Sequence, residues 1–403
     1  MLVNKEAHLT YCTNIHPGET WEEIFESLKT YCLNIKTKIS PTEDFGIGLR
    51  LSQKSARALL ADNNLSEFKN WLDTNNLYVF TMNGFPYGDF HNTVVKDQVH
   101  KPDWTTQERL DYTKDLMYIL AHLLPEGMEG GVSTSPLSYK YWFESEEEKN
   151  KATEKACDAL IDVVLQLVEI KIKTGKLLHL DIEPEPDGLL ENTQEVLDFY
   201  KKHLFTNGIA KLSDELKCSS FKAKEHILNH IQLCYDVCHF ALVYESPEFV
   251  ISSMKDAEIK IGKIQISAAI KCKRSEIVSI EKQQSCLRQF DEPTYLHQSV
   301  VKLKDNRFDH FSDLKEGINL MSDDNFKELR THFHVPIFVD NFQVLESTQD
   351  DIIKALDLWK KTKYSKHLEV ETYTWSVLPE HLQKDLTNSI TRELSWVIDH
   401  LSN

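Results

Sequence analysis

The sequence predicts a single parallel (β/α)8 barrel carrying an insertion, and three observations support that expectation. Strand-like and helix-like stretches alternate along all 403 residues, the pattern of a parallel sheet wrapped by helices. The stretch LLHLDIEPEPDG, residues 177 to 188, sorts at period two, with Leu178, Leu180 and Ile182 on one side and His179, Asp181 and Glu183 on the other. Pro184 and Pro186 then stop strand pairing, so Glu183 stands at a C-terminal rim. The mouth of a parallel barrel is a place that tolerates such polar groups. Third, no internal repeat, low-complexity tract or linker divides the chain, so residues 1–403 read as one domain.

The elements follow in order. His8 to Ile15 (HLTYCTNI) reads as a first strand, ended by His16-Pro17-Gly18. Thr20 caps the next helix, with Glu22 and Glu23 in its first turn. Phe45 to Leu51 is a second strand, and Ser52 caps the helix bearing Leu59, Leu60, Leu65, Phe68 and Trp71. Leu77 to Asn83 is a third strand, followed by the loop GFPYGDFH and a long helix from Thr105. Gly130 to Ser135 is a fourth, and Glu144 to Lys173 a long amphipathic helix. After the fifth strand, residues 191 to 230 read as helical, and Ile231 to His239 (IQLCYDVCH) as a sixth strand. Ile261 to Ile270 (IGKIQISAAI), Thr331 to Val339 (THFHVPIFV) and Leu368 to Trp375 (LEVETYTW) are further candidates, with a last helix ending near 402. That makes nine candidates where a closed barrel needs eight. Either IGKIQISAAI or THFHVPIFV is the seventh barrel strand, and the other belongs to an insertion of roughly 271–330.

Composition narrows the function classes. A hydrophobic content of 41% supports a large core, and a formal charge of -17 argues against nucleic acid or an anionic membrane as partner. The eight cysteines lack metal-type CxxC spacing and are expected to be reduced and mostly buried, as in a cytoplasmic protein. The start, MLVNKEAHLTYC, lacks the pattern of a signal peptide. No apolar run approaches the roughly 18 residues needed to span a bilayer.

Four strand ends present groups able to bind a metal. Glu183 ends the fifth strand, and Asp236 ends the sixth with His239 three residues on. His332 and His334 share one side of THFHVPIFV, opposite Phe333 and Val335. Glu369 and Glu371 share one side of LEVETYTW, and Glu371, closer to the strand's C-terminal end, is the better ligand candidate. Carboxylates converging in a low dielectric repel, and a divalent cation relieves them. A mixed carboxylate and imidazole shell suits Mn²⁺, Zn²⁺, Co²⁺ or Fe²⁺ more than Ca²⁺. Each residue has an ordinary alternative: a lone buried Asp or His is usually a hydrogen-bonded structural group, His334 could pack under Pro336, and Glu369 could be a solvated rim charge. The loop GFPYGDFH could be a packed turn.

The order Glu, Asp-x-x-His, His-x-His and Glu at successive strand ends resembles the xylose-isomerase-like TIM-barrel superfamily of sugar isomerases, epimerases and endonuclease IV. HLTYCTNIHPGETW, TMNGFPYGDFH, LDIEPEPDG, CYDVCH, QISAA, YLHQ, HFHVPIF and LEVETYTW together resemble the EboE family of metabolite traffic proteins, over nearly the whole chain. The resemblance implies a divalent metal (Mn, Zn, Co, Fe or Mg) held by Glu183, Asp236, His334 and Glu371. It further implies Glu183 and Glu371 as acid/base groups, with His239 touching substrate oxygens. If IGKIQISAAI is the seventh strand, Gln265 takes the superfamily's histidine position, and His334 or His297 completes the shell from the insertion. His16, Asn83, Tyr87, His91, Ser133, Glu185, Gln265, His297 and His332 are candidates to shape a pocket for a small polar ligand.

The leading expectation is therefore a metal-dependent isomerase or epimerase acting on a small polyhydroxylated or secondary-metabolite precursor. The metal would acidify a carbon beside the bound oxygens, one carboxylate would remove the proton, and another, or His239, would return it. A non-catalytic carrier on the same barrel is the alternative, favoured by Gln265. A metal-dependent hydrolase or endonuclease is disfavoured by the negative charge and the shortage of strand-end histidines. A small-molecule substrate, a homodimer and other proteins of an operon are the candidate partners, with no nucleic acid and no membrane insertion.

Overall fold

Eight strands with one apolar and one polar side can hide both only by closing on themselves, and this chain does so. The computed structural model describes residues 1–88, 96–375, 378 and 385–402. The barrel strands are β1 (Ala7–Tyr11), β2 (Phe45–Arg50), β3 (Leu77–Asn83), β4 (Gly130–Thr134), β5 (Leu178–Ile182), β6 (Ile231–Asp236), β7 (Ile261–Ile266) and β8 (His367–Val370). They pair in parallel in chain order from β2 to β8, and β8 pairs with β1. A parallel bridge between Cys12 and Gly48 joins β1 to β2 and closes the ring. The short strand Leu2–Val3 runs antiparallel on β1.

The helices start where local chemistry predicts. Thr20 and Glu23 form a reciprocal capping box. Helix Gln107–Leu123 is capped by Thr106, and helix Glu146–Thr174 by Ser145. The latter ends at Gly175, whose φ of 76° is the left-handed conformation glycine adopts without cost. Among the described residues no helix is long and apolar enough to cross a membrane. The eight cysteines are free thiols.

Several expectations are corrected. The seventh barrel strand is Ile261–Ile266, and IGKIQISAAI is not one strand: Ile270–Lys273 turns into a second sheet. That six-stranded sheet runs, in spatial order, Phe308–Phe311, Ser299–Leu303, Phe326–Thr331, Ile270–Lys273, Leu345–Ser347, Asn341–Phe342, with antiparallel pairing. It therefore extends beyond 271–330 at both ends. THFHVPIFV is not a strand either. The ladder ends at Thr331, His332 N–H donates to Gln298 O (2.8 Å) and Val335 N–H to Ala268 O (3.0 Å), and Pro336 has no N–H to offer. IQLCYDVCH stops at Asp236, whose side chain caps a helix, Val237–Leu242. HLTYCTNI stops at Tyr11 and LEVETYTW at Val370.

The barrel interior is polar below its mouth. His179 and Asp181 point inward from β5 and pair at 2.6 Å. Lys263 on β7 meets Glu369 on β8 at 2.5 Å, both fully buried. Burial alone would lower the Lys263 ammonium; the adjoining Glu369 carboxylate outweighs it, and the net displacement is upward. These side chains fit because glycines face them: a Cβ at Gly262 would lie 1.9 Å from Asp181 Oδ1, and one at Gly48 1.7 Å from Glu369 Oε1. The aliphatic residues face outward into the helix layer, where the main core lies.

Removing one member of a buried ion pair leaves an uncompensated charge. Lys263→Met is expected to destabilise the chain by about 3–5 kcal/mol in urea unfolding. Lys263→Met combined with Glu369→Leu is expected to recover most of that loss; equal losses in the two variants would contradict the pairing.

Candidate functional site

The C-terminal ends of β5, β6 and β8 each deliver one carboxylate to the same point. Glu183 follows β5 directly and its N–H donates to Thr134 O at 2.9 Å, after which Pro184 and Pro186 end the ladder. Asp236 is the last residue of β6. Its Oδ1 accepts from Ser267 Oγ at 2.6 Å and from His239 N–H at 3.1 Å, while the buried Oδ2 has no hydrogen bond. Glu371 follows β8, and its Oε1 accepts from Asn14 Nδ2 at 2.8 Å and Asn83 Nδ2 at 3.0 Å. Oxygen atoms of Glu183, Asp236 and Glu371 lie within 4.8 Å of one another, all buried.

Such a group strains its own charge. At roughly 4 Å, two like charges repel by about 4 kcal/mol at an effective dielectric of about 20. Three mutual pairs therefore rival a typical domain's whole stability of about 5–15 kcal/mol. Burial, then Glu371 and Asp236, push the Glu183 carboxyl well above its usual range. Burial, then Asp236 and Glu369, push Glu371 up to about 8.

His334 supplies the fourth donor. Its Nδ1 donates to Glu371 O at 2.8 Å, which leaves Nε2 as the ring's lone pair; that atom is buried without a hydrogen bond. Burial holds the ring neutral, with its pKa lowered to about 4. Nitrogen atoms of His334 and His239 lie with an Asp236 oxygen inside a second group of the same 4.8 Å span. Two undonated buried atoms, Asp236 Oδ2 and His334 Nε2, beside clustered carboxylates fit a divalent cation, and oxygen with one nitrogen suits Mg²⁺, Mn²⁺, Fe²⁺, Co²⁺ or Zn²⁺.

Glu183, His334 and Glu371 line a cavity enclosing about 560 Å³ together with its open mouth. Of the other residues singled out from the sequence, Asn83, Glu185, His239 and His332 line the same cavity. Four do not. His16 stacks on Tyr31 at 4.4 Å and bonds Tyr11 Oη through Nε2 at 2.8 Å, outside the cavity. Tyr87 packs on Tyr112 (5.1 Å) and on the Arg109 guanidinium (5.8 Å). His297 has its ring nitrogens on His332 O (3.0 Å) and Glu292 Oε1 (2.9 Å), behind the wall. Gln265 sits on β7 between Asp236 and Glu369 in the ladder, buried beneath the cavity with neither amide atom hydrogen-bonded. Ser133 is buried on β4 and does not line the cavity either. His91 lies outside the described residues.

Sequence reasoning missed Asn14, Tyr295 and Tyr373, all of which line the cavity. Asn14 follows β1 at the same rim as the other strand-end groups, and that position was a usable signal. Tyr373 lies two residues beyond Glu371 on the same alternation. Tyr295 comes from the insertion, where no periodicity marks it.

No protein-family model matches the chain, and no curated protein matches it. Solved structures are similar in fold. A xylose isomerase-like TIM barrel protein from Mycobacterium smegmatis in complex with magnesium is 9% identical, with 100% of this chain and 99% of that one covered and a TM-score of 0.50. The IOLI protein with a binding zinc atom is 13% identical over 98% of both chains, with a TM-score of 0.47. A D-tagatose 3-epimerase-like protein is 10% identical, covering 98% of this chain and 97% of its own, with a TM-score of 0.46. The chain has the xylose isomerase-like TIM-barrel fold.

The raised Glu371 carboxyl gives a pH signature. Folded, it holds its proton more tightly than unfolded, so in metal-free protein its contribution to stability is present in acid and is lost as pH rises from the ordinary carboxylate range through about 8. Adding Mn²⁺ or Zn²⁺ to chelator-treated protein is therefore expected to raise the unfolding temperature more in mild alkali than in mild acid. A shift independent of pH, or none, would count against the cluster as a cation site.

Proposed function

We propose that the chain is a metal-dependent isomerase or epimerase acting on a small polyhydroxylated or related secondary-metabolite precursor. The observation that carries this reading is the convergence of Glu183, Asp236 and Glu371 beside the bare Nε2 of His334 at the floor of a cavity. These four residues would hold the ion. A divalent cation in such a site supplies Lewis-acid polarisation of substrate oxygens, which lowers the pKa of the adjoining carbon acid.

The chain's own groups account for the remaining requirements. Glu371 is fixed by Asn14 and Asn83 on one oxygen, so its carboxyl is oriented before a substrate arrives. Glu183 is the partner carboxyl. His239 donates Nδ1–H to Pro184 O at 2.9 Å, which leaves Nε2 to accept from a substrate hydroxyl. Phe85, Pro86, Tyr295 and Tyr373 line the same cavity and would exclude water from the reacting carbon. The acidic, enclosed mouth suits a small uncharged ligand better than nucleic acid.

A narrower placement among EboE-type metabolite traffic proteins rests on the sequence strings alone. A carrier that binds such a precursor without turning it over is the second reading, favoured by Gln265 on the seventh strand.

Metal-loaded protein is expected to exchange deuterium from D₂O into the carbon beside the carbonyl of at least one member of a ketose and hydroxy-ketone panel. Glu183→Gln and Glu371→Gln are each expected to slow that exchange by about 10²–10⁴-fold, the usual worth of a positioned acid or base. Retained ligand binding without exchange would select the carrier. Absence of both a retained ion and any exchange would overturn the proposal.

A further inference from the structure

We infer that Glu393, on the C-terminal helix Leu386–Ser402, is a positioning residue that seats His334 as the nitrogen donor of the metal centre and so sets its preference for nitrogen-favouring ions over Mn²⁺ or Mg²⁺. This rests on the reading of Glu183, Asp236, His334 and Glu371 as that centre.

Glu393 is a carboxyl at a position where helix periodicity asks for an aliphatic side chain. It is 1% exposed and shares its side of the helix with the buried Ile390, Leu394 and Val397. Burial pushes the carboxyl up to about 8, against the pull of two hydrogen bonds. Those two bonds show what the buried group is used for. Oε1 accepts from Thr372 Oγ1 at 2.8 Å and from Ile337 N–H at 3.2 Å. Thr372 follows Glu371 directly, and Ile337 lies three residues beyond His334 on the coil that leaves the insertion. A single oxygen atom therefore joins the segment bearing one metal donor to the segment bearing another. The segments meet again at the donors themselves: His334 Nδ1 donates to Glu371 O at 2.8 Å, and Thr374 Oγ1 donates to His334 O.

The two donors do not need this support equally. Glu371 stands at the end of β8, its N–H donating to Ile266 O at 3.1 Å and its Oε1 held by Asn14 and Asn83. His334 stands on coil, past the last ladder residue Thr331 and ahead of Pro336, which has no N–H. The next N–H along the coil is that of Ile337, and it goes to Glu393. Without the Glu393 acceptor, the coil keeps its general course, because Ile337 O still accepts from Gln349 Nε2 at 2.7 Å. The imidazole loses its fixed register, while the three carboxylates keep theirs. A centre reduced to carboxylates suits Mn²⁺ and Mg²⁺, whereas a seated imidazole favours Co²⁺ and Zn²⁺. Glu393 thus acts on which ion the centre prefers, through a donor it does not itself touch.

The test uses the full chain, stripped with a chelator and titrated separately with Co²⁺, followed by visible absorption, and with Mn²⁺, followed by electron paramagnetic resonance. Glu393→Leu is expected to weaken Co²⁺ binding by about 10–100-fold, the usual worth of an outer partner of a metal ligand, and to leave Mn²⁺ binding nearly unchanged. Glu393→Gln, whose amide oxygen still accepts both bonds, is expected to bind both ions as wild type does. Thr372→Val removes one of the two bonds and is expected to shift Co²⁺ in the same direction by less; it decides the matter if Glu393→Leu does not fold. Equal weakening of both ions would make Glu393 a general prop of the fold and overturn the inference, as would Co²⁺ binding unchanged in both Glu393→Leu and Thr372→Val. Wild type binding neither ion would overturn the metal centre itself and this inference with it.

Discussion

The organising constraint is the repulsion among Glu183, Asp236 and Glu371, three acidic side chains sealed together at the end of a barrel. Nothing in the aliphatic helix layer requires them there. The fold has to bring them in with backbone elements stiff enough to resist their separation, and parallel strands in a closed ring provide that stiffness. The polar interior below continues the theme. Lys263 and Glu369 balance each other, His179 and Asp181 do the same, and glycines on facing strands leave room for both pairs. The barrel is thus a stack of compensated charges that ends in one uncompensated layer.

The insertion completes that layer. Its antiparallel sheet is not an appendage, since the coil leaving its strand Phe326–Thr331 brings His332 and His334 over the mouth. The coil is held there by hydrogen bonds to both sheets' connections, from His332 N–H to Gln298 O and from Val335 N–H to Ala268 O. Gln265 stands on the seventh strand, and imidazoles reach the mouth from above it. The acidic floor and His239 belong to the barrel, His332 and His334 to the insertion, and the site exists only where the two meet.

Much of this was legible in the residues. Period-two alternation located Glu183, Asp236 and Glu371 at strand ends, because a strand with one buried apolar side must turn its charges inward or outward as a set. The same alternation misled at THFHVPIFV. There Phe333 and Val335 are buried against the barrel's cap rather than in a sheet, and periodicity does not distinguish an extended coil from a strand. Hydrophobicity carries the sixth strand on to His239, because the capping role of Asp236 leaves no mark on it. Residue type alone points to His16, Tyr87 and His297. Their partners, Tyr31, Arg109 and Glu292, are contacts between distant elements that spacing does not encode.

The hydrogen bond from Asn14 to Glu371 joins residues 357 positions apart, across the seam where the first strand meets the last. The three carboxylates come from strands joined through β7, but the amide that fixes Glu371 arrives only when the two ends of the chain have found each other. Contacts of such long range form late and slowly in folding. An ion that settles among these groups would act as a clasp on a finished ring, making reopening of the seam the slow step and tying the lifetime of the folded chain to the metal supply around it.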